Sequence, residues 1–571
     1  KHSHLRLEFC CQVHFYISRP RKIMAGMYRA IINLSIFLQM SPSHSAGLRG
    51  QVSDITEEVD RSLLLALSES RRSDNSVDHI AGLEIALKQM YAAVPHEDDG
   101  TLNHAVVNYV LHRFFVKEHG WYIQGLEPGT GGKSLSTQPQ ILQSATEWVP
   151  DYLQRFLEKL NGKAGIGLRD LAVIASTIDD LIHKENLERL EQAFVAMDIN
   201  LSTVLENDMA KQILEIWMMM FMSRGKFTVK GHANVLRAHE VFVQQNRDWG
   251  QLQEWVHTLR TELFPSQDTL NFTEAARVVE AVGRRYGSYN DAMCRSLKEE
   301  LLSVEAKKAG RVRLAEFYKK GLKGLFEFDE KIEYLRALGV LDESDPKQPH
   351  VIVPNYISSR ANCLVTSSFY VVCCRNECED FLGLLEKQIG SEMAPPDQVL
   401  KIVAGIRPAT HQVQAHEARI QRIADMNAGL VPLHGRLFAQ WMHHVFPREC
   451  PYPHESGKIS PQTPDEWMQE TGQEDSRVSR EEMMDHISND TCGPDEPIGE
   501  EARKHQHFAE NELPWDESEE LLRPVRSTKG VAPTFKSLAT FFVLSSAISL
   551  LLIATRQALI GAGHRKTDLL F

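Results

Sequence analysis

The stretch Ser537–Thr555 constrains this chain most: nineteen uncharged, mostly apolar residues lie between Lys536 and Arg556. As a helix it reaches about 28 Å, close to the ~30 Å hydrocarbon thickness of a bilayer. Phe541, Phe542, Val543, Leu544, Ile548 and the run Leu550–Ile553 carry it. The pattern predicts one transmembrane helix at 537–555 and a short tail at 556–571. Membrane lipid is therefore the first partner the sequence implies.

The other end decides which side of the membrane the bulk occupies. From Met24 the chain presents a basic Arg29, an apolar run Ala30–Met40, and small residues Ser43 and Ser45 ahead of Ala46. That is the layout of a signal peptide, placed at 24–45, with Met27 a second possible start and residues 1–23 outside the mature protein. Flanking charge does not orient the C-terminal span. Four basic residues precede it (Arg523, Arg526, Lys529, Lys536) and three follow (Arg556, Arg565, Lys566). With the signal, the domain is lumenal or extracellular, in the secretory pathway or at the cell surface. Without it, the same terminal helix makes a tail-anchored scaffold facing the cytosol.

Of 571 residues, 43% are hydrophobic and 24% charged, which gives room for one large or two medium domains. The net charge of −13 is concentrated: between Glu455 and Phe535 stand 20 acidic residues against 8 basic ones, a net of −12. The rest is close to neutral and offers no basic field for phosphate backbones, so nucleic acid is excluded as a partner. The acidic segment is rich in Pro, Ser, Gly and Gln and shows no apolar period. It reads as a disordered, solvated stalk over 455–536. Trp467, Met468, Met483 and Met484 are its exceptions and mark a short docking helix.

From about Asp54 to Phe446 the dominant period is helical. Val107, Val110, Leu111 and Phe114 form one stripe, Met293, Leu297, Leu301 and Val304 another, and Leu314, Phe317, Tyr318, Leu322 and Leu325 a third. Ile213–Met222, apolar but for Glu215, is too short to span a membrane and reads as a buried core helix. Strand signals are confined to His350–Ile357, where Pro354 implies an edge position, and Phe369–Cys374. The expected fold is thus mostly α: a multi-helix globular domain with at most a minor β element, plus the C-terminal transmembrane helix. A boundary in the Asp342–Pro349 run divides it into a helical domain at 46–345 and a cysteine-containing helical subdomain at 346–454.

Cys10 and Cys11 precede the expected start; Cys294, Cys363, Cys373, Cys374, Cys378, Cys450 and Cys492 follow it. The cluster Cys363, Cys373, Cys374, Cys378 and Cys450 supplies disulfide candidates in an oxidising compartment, with the pairing open. In the cytosol the same residues read as buried thiols. Sequons at Asn200, Asn271 and Asn489 permit glycosylation without requiring it.

Several apparent motifs lack the residues their chemistry needs. Glu127–Ser134 ends in Gly-Lys-Ser, but Glu127 stands where a phosphate loop needs its first glycine. The calcium-loop start at Asp198 fails at Thr203, where glycine is needed, and at Met209, where a bidentate glutamate is needed. His112 and His119 share a helical face but lie ~10 Å apart along the axis, too far for one ion. No Ser-His-Asp arrangement, Gly-x-Ser-x-Gly elbow or dinucleotide fingerprint is present.

The densest constellation runs from Leu433 through His434, Trp441, His443 and His444 to Cys450 and His454. His434 and His443 are nine apart, and His416 lies eighteen before His434. The segment resembles half of a type-3 copper site of the tyrosinase kind, in which three histidines hold one copper. No second trio follows, so a binuclear centre is excluded. A mononuclear copper or zinc site would draw on His434, His443, His444, Cys450 and His454. On one continuous helix His434 and His443 fall on opposite faces, so they converge only if His434 precedes the helix. The sequence therefore supports a single-pass membrane-anchored helical domain with a binding or structural role. The alternative is a membrane-tethered metalloenzyme centred on His434–His454.

Overall fold

A computed structural model of the chain describes residues 74–123, 125–126, 165–223, 231–246, 248–323, 326–367, 369–406, 410–490 and 512–522. The expected leader, signal peptide, glycine-rich loop at 127–134 and transmembrane helix at 537–555 lie outside the described residues. Among the described residues no helix is long and apolar enough to cross a membrane. The protein is mostly helical and multi-helix, 61% helix and 8% strand.

The helices are α1 (Asp74–Ala93), α2 (His104–His119), α3 (Leu168–Ala196), α4 (Asn207–Met222), α5 (His232–Gln245), α6 (Trp249–Leu263), α7 (Phe272–Leu302), α8 (Leu314–Lys323), α9 (Ile332–Ala337), α10 (Val353–Ile357), α11 (Cys378–Ile389), α12 (Pro396–Ile406), α13 (Thr410–Ala415), α14 (Glu417–Met426), α15 (Arg436–Val445), α16 (Pro464–Thr471) and α17 (Arg480–Asn489). The strands are β1 (Trp121–Ile123), β2 (Leu205–Glu206), β3 (Thr269–Leu270), β4 (Arg311–Arg313), β5 (Leu341–Asp342), β6 (His350–Ile352), β7 (Leu364–Val365), β8 (Tyr370–Val372), β9 (Met393–Ala394) and β10 (Val431–Pro432).

The longest helix, α7, is the spine. Asn271 accepts from the Glu274 amide while Glu274 reaches back to the Asn271 amide, a reciprocal cap that starts the helix. Val278, Val279, Val282 and Tyr286 bury one stripe, and α2, α3, α4, α6, α8 and α10 all pack on it. The C-terminal end of α2 crosses at Gly287, where an added Cβ would lie 2.0 Å from the His119 carbonyl oxygen. Ile213–Phe221 of α4 are buried throughout, apart from half-buried Glu215, and the Trp217 indole donates to the Asn186 carbonyl.

The expected division near residue 346 does not exist. Strand β6 pairs antiparallel with both β4, Val351 opposite Val312, and β5, Val351 opposite Leu341. Residues on both sides of the supposed boundary thus share one three-stranded sheet and one core around Phe317, Phe328, Tyr334 and Tyr356. Pro354 does not mark an edge strand: it sits in the first turn of α10, where its missing N–H costs nothing. Strand β8 is the middle of a second sheet, between β1 and β7.

The stalk expectation also fails for the described part of 455–536. Helices α16 and α17 each open on a capping box, Thr463 with Glu466 and Ser479 with Glu482. They bury Trp467 and Met483 in the core beside Tyr334, and the backbone joins the fold through Val478 N to Asp329 O and Lys331 N to Ser476 O. Met468 and Ile487 pack beside these two anchors, and the capping boxes satisfy the helix starts.

Under this cover lies a buried carboxyl. Glu330 accepts a hydrogen bond from the Tyr356 hydroxyl at 2.8 Å, and its second oxygen finds no protein partner among the described residues. Burial pushes this carboxyl up to about 7. A raised folded value means its stabilising, protonated state is fully present below the unfolded value and is lost as pH rises through 7. Glu330→Gln, which mimics the protonated form, is expected to stabilise the protein by about 1–3 kcal/mol at pH 8 and by almost nothing at pH 5. Urea unfolding at both pH values measures this.

Candidate functional site

The His434–His454 segment is built by a short strand, a turn and α15. Strand β10 pairs with β9 and delivers Leu433 and His434 just before the helix. Within α15, Leu437, Phe438, Trp441, Met442 and Val445 bury the apolar face against α11 and α14. His434 does precede the helix, but it does not converge with His443.

The five residues expected to bind copper or zinc are parted by their own hydrogen bonds. His434 Nε2–H donates to the Ala93 carbonyl at 2.9 Å, leaving Nδ1 to accept from the Tyr109 hydroxyl at 3.0 Å. His443 Nδ1–H donates to the Cys450 carbonyl at 2.7 Å, and His454 Nε2–H donates to the Gly339 carbonyl at 2.7 Å. Cys450 is bonded to Cys378, so it has no thiolate to offer. Among the described residues no group of three or more His, Cys, Asp and Glu is placed to hold a metal. The donor set does not fit the ion, and no step is routed through one.

His434 instead closes a buried polar hub. Arg113 on α2 donates from Nε to Glu379 at 2.7 Å and pairs through Nη1 with Glu386, both on α11. The Glu386 carboxylate approaches His434 Nε2 at 3.5 Å. This network rivets α2 and α11 to the start of α15. A buried pair of this kind fixes geometry more than it adds stability.

His444 belongs to a different assembly, one that sequence reasoning missed. Residues 512–522 run as an irregular strap across α14 and α15. Glu512 enters between two rings, with His416 Nε2 at 3.4 Å and His444 Nδ1 at 3.5 Å, and accepts from Arg419 at 2.7 Å. Arg419 also approaches His416 Nδ1 at 3.2 Å, which leaves Nε2–H facing the carboxylate. Its guanidinium lies 5.0 Å from the centre of the Trp515 ring, and Leu513 is buried alongside.

Farther along the strap, buried Arg436 donates to the Ser518 carbonyl from Nε at 2.8 Å and from Nη2 at 2.6 Å. Gln440 and Tyr452 both donate to the Pro514 carbonyl, at 3.2 and 2.8 Å. Glu519 accepts from the Leu437 amide at 3.1 Å, so the strap supplies the carboxylate cap that Gly435 cannot give α15. A side chain at Gly435 would collide with this carboxylate, 2.9 Å from an added Cβ. The sequence signal was the Leu513-Pro514-Trp515 triplet, two apolar anchors inside an acidic run.

The six cysteines among the described residues are drawn into one region. Cys294 on α7 pairs with Cys374, Cys363 with Cys373, and Cys378 on α11 with Cys450, over sequence separations of 80, 10 and 72 residues. The five candidates from the sequence are thus joined by Cys294, while Cys492 lies outside the described residues. The chain matches no family model, and no curated protein or solved structure is detectably similar to it.

The histidines carry a joint electrostatic consequence. Burial pushes His112 and His434 down to about 3, His350 and His443 to about 4, and His444 to about 2. Below about 6.5 the unfolded chain takes protons that the folded one refuses, so each such histidine costs stability as pH falls, by roughly 1.4 kcal/mol per pH unit. Glu330 works in the opposite direction, as do Asp180, Asp291, Asp329, Glu386 and Glu519, whose carboxyls burial also pushes up. His119, His239, His416 and His454 are pushed down with the five. Denaturant midpoints, measured with disulfides intact, are expected to drop steeply from pH 6.5 to pH 5. A flat profile would mean the rings are not held neutral.

Proposed function

We propose that this is a single-pass, membrane-anchored helical domain of the secretory pathway or cell surface, with a binding or structural role. The observation that carries the location is the set of three disulfides, because such bonds persist in oxidising compartments and are rare where glutathione keeps thiols reduced. Two of the closed loops are long, and in the chain-entropy picture each such closure contributes about 4–5 kcal/mol. A fold that leaned on thiol packing alone would not hold three cysteine pairs at bonding distance.

Two further observations support the placement. Asn200, Asn271 and Asn489 are exposed, so all three sequons can accept a glycan without unfolding, and the cap at Asn271 uses Oδ1, which leaves Nδ2 for the sugar. The apolar run at 537–555 has the length to hold the domain at a bilayer. The binding role rests on the surface chemistry of the α14–α15 face, where buried cations and histidines engage an extended acidic segment. Among the described residues the metal alternative has lost its thiolate to the Cys378–Cys450 bond and His434 to its partners Ala93 and Tyr109.

The location is tested on intact vesicles from cells expressing the full chain. External protease is expected to leave the domain uncut, glycosidase to increase its mobility, and alkylation without reductant to leave Cys294, Cys363, Cys373, Cys374, Cys378 and Cys450 unlabelled. Free thiols at those positions together with full cleavage would replace this topology by a cytosol-facing, tail-anchored one.

A further inference from the structure

The contacts between residues 512–522 and the α14–α15 face have the grammar of a bound peptide. The strap has no helix or strand of its own. Its backbone carbonyls at Pro514, Asp516 and Ser518 are taken by side chains of Gln440, Tyr452 and Arg436. Its side chains alternate between an acidic tooth (Glu512), an apolar plug (Leu513), an aromatic lid (Trp515) and a helix-capping carboxylate (Glu519). The receiving face is correspondingly basic, with Arg419, Arg422 and Arg436 meeting Glu512, Glu517 and Asp516. Peptide recognition by cation clusters and by captured backbone groups uses this combination.

The seam is also incompletely paired. Gln440 Oε1, His444 Nε2, Trp515 Nε1 and Glu519 Oε2 are buried yet find no protein partner among the described residues. A segment packed as permanent core leaves few such atoms, because each buried polar group without a partner costs about 1–3 kcal/mol. The groove itself is fixed independently of the strap: Cys378–Cys450 and the apolar contacts of Trp441, Phe438 and Val445 hold α15 in place.

We infer that the α14–α15 groove is a recognition site for an acidic peptide segment of the Glu-Leu-Pro-Trp-Asp type on a partner protein, and that the chain's own 512–522 occupies it as a displaceable resident. The inference rests on the binding role proposed above and not on the compartment. A second copy is the weaker occupant, because every copy carries its own strap and an exchange adds no contact. A foreign segment gains entry by offering a better plug than Leu513 or a donor for Gln440 Oε1 and His444 Nε2, the groove-side acceptors that find no protein partner among the described residues. Arg436 is the anchoring residue, since it holds the Asp516 and Ser518 carbonyls and pairs with the Asp516 carboxylate.

The test uses the purified full chain in detergent and a fluorescein-labelled synthetic peptide of residues 511–522, followed by anisotropy. The Leu513→Ala/Trp515→Ala chain, with its resident loosened, is expected to bind the probe at least tenfold more tightly than the unaltered chain. Adding Arg436→Met should abolish that binding. Absence of binding to the double variant, or binding indifferent to Arg436, overturns the site. Should the double variant not fold, hydrogen exchange of the unaltered chain decides: amides of 515–520 exchanging at least tenfold faster than those of 439–443 support a displaceable resident, and equal rates overturn it. A doubled mass by light scattering for the double variant would assign the groove to a second copy and overturn the partner assignment. Because the protein is purified, a failed topology experiment leaves this one untouched.

Discussion

Six consecutive residues, Cys373–Cys378, hold one end of all three disulfides, and the architecture radiates from them. Cys374 ties the segment to the spine helix α7, Cys373 ties it to the loop before β7, and Cys378 ties it to the end of α15. Cys373 N also bonds to the Gly120 carbonyl, so the C-terminal end of α2 is drawn to the same point. The small β1–β8–β7 sheet serves as the mount: β8 delivers the two adjacent cysteines at its end. Without these bonds, α7 and the segment that opens α11 would be joined chiefly by the Lys298–Glu377 and Arg375–Asp291 ion pairs. The covalent cluster therefore fixes α7, the segment that opens α11 and the turn after α15 relative to one another.

Buried polar groups do a second job at the same joints. Arg113 between Glu379 and Glu386, Arg311 on Asp342 at 2.6 Å, and Arg436 on the strap all sit where separate stretches of chain meet. Each desolvated ion costs several kcal/mol unless its partners are in place, so these contacts penalise every alternative docking. Apolar contact alone would tolerate sliding. The buried neutral histidines act alike: His434 must donate to Ala93 at the end of α1 and accept from Tyr109 on α2, and only one joint placement of the two helices provides both.

Much of the architecture was legible in residue spacing, and the failures have distinct causes. The stripes at Val107–Phe114, Met293–Val304 and Leu314–Leu322 are cores of α2, α7 and the α8 region because a 3.6-residue period survives whatever the helix packs against. Helices α12 to α14 are short, and only a few residues of each reach the core, so their boundaries are weakly marked within the long helical period. The break at 342–350 looked like a linker because Pro and Asp cluster there, yet a loop between two strands of one sheet has that same composition. The acidic run misled most. Net charge and missing periodicity describe a segment that cannot build its own core, but α16, α17 and the strap borrow one through Trp467, Met483, Leu513 and Trp515. The histidines expected to share one metal are each engaged elsewhere, and among the described residues no group of three ligands converges. Spacing along a chain shows which rings are near one another in sequence, not which carbonyl each ring nitrogen satisfies.

The asymmetry between the two sides of the α14–α15 seam explains why one is groove and the other ligand. The receiving side is fixed by a disulfide, by the Trp441 indole bonded to the His416 carbonyl at 3.0 Å, and by a continuous apolar face. Its ordering cost is met when the domain folds. The strap contributes a few anchors and several carboxylates, and its own ordering offsets much of what those contacts supply. A preformed cationic groove opposed by an extended, partly unsatisfied segment is therefore the natural point of exchange in an otherwise cross-linked fold. Exchange there would alter neither the disulfide cluster nor the spine, so the domain can trade its resident segment without unfolding.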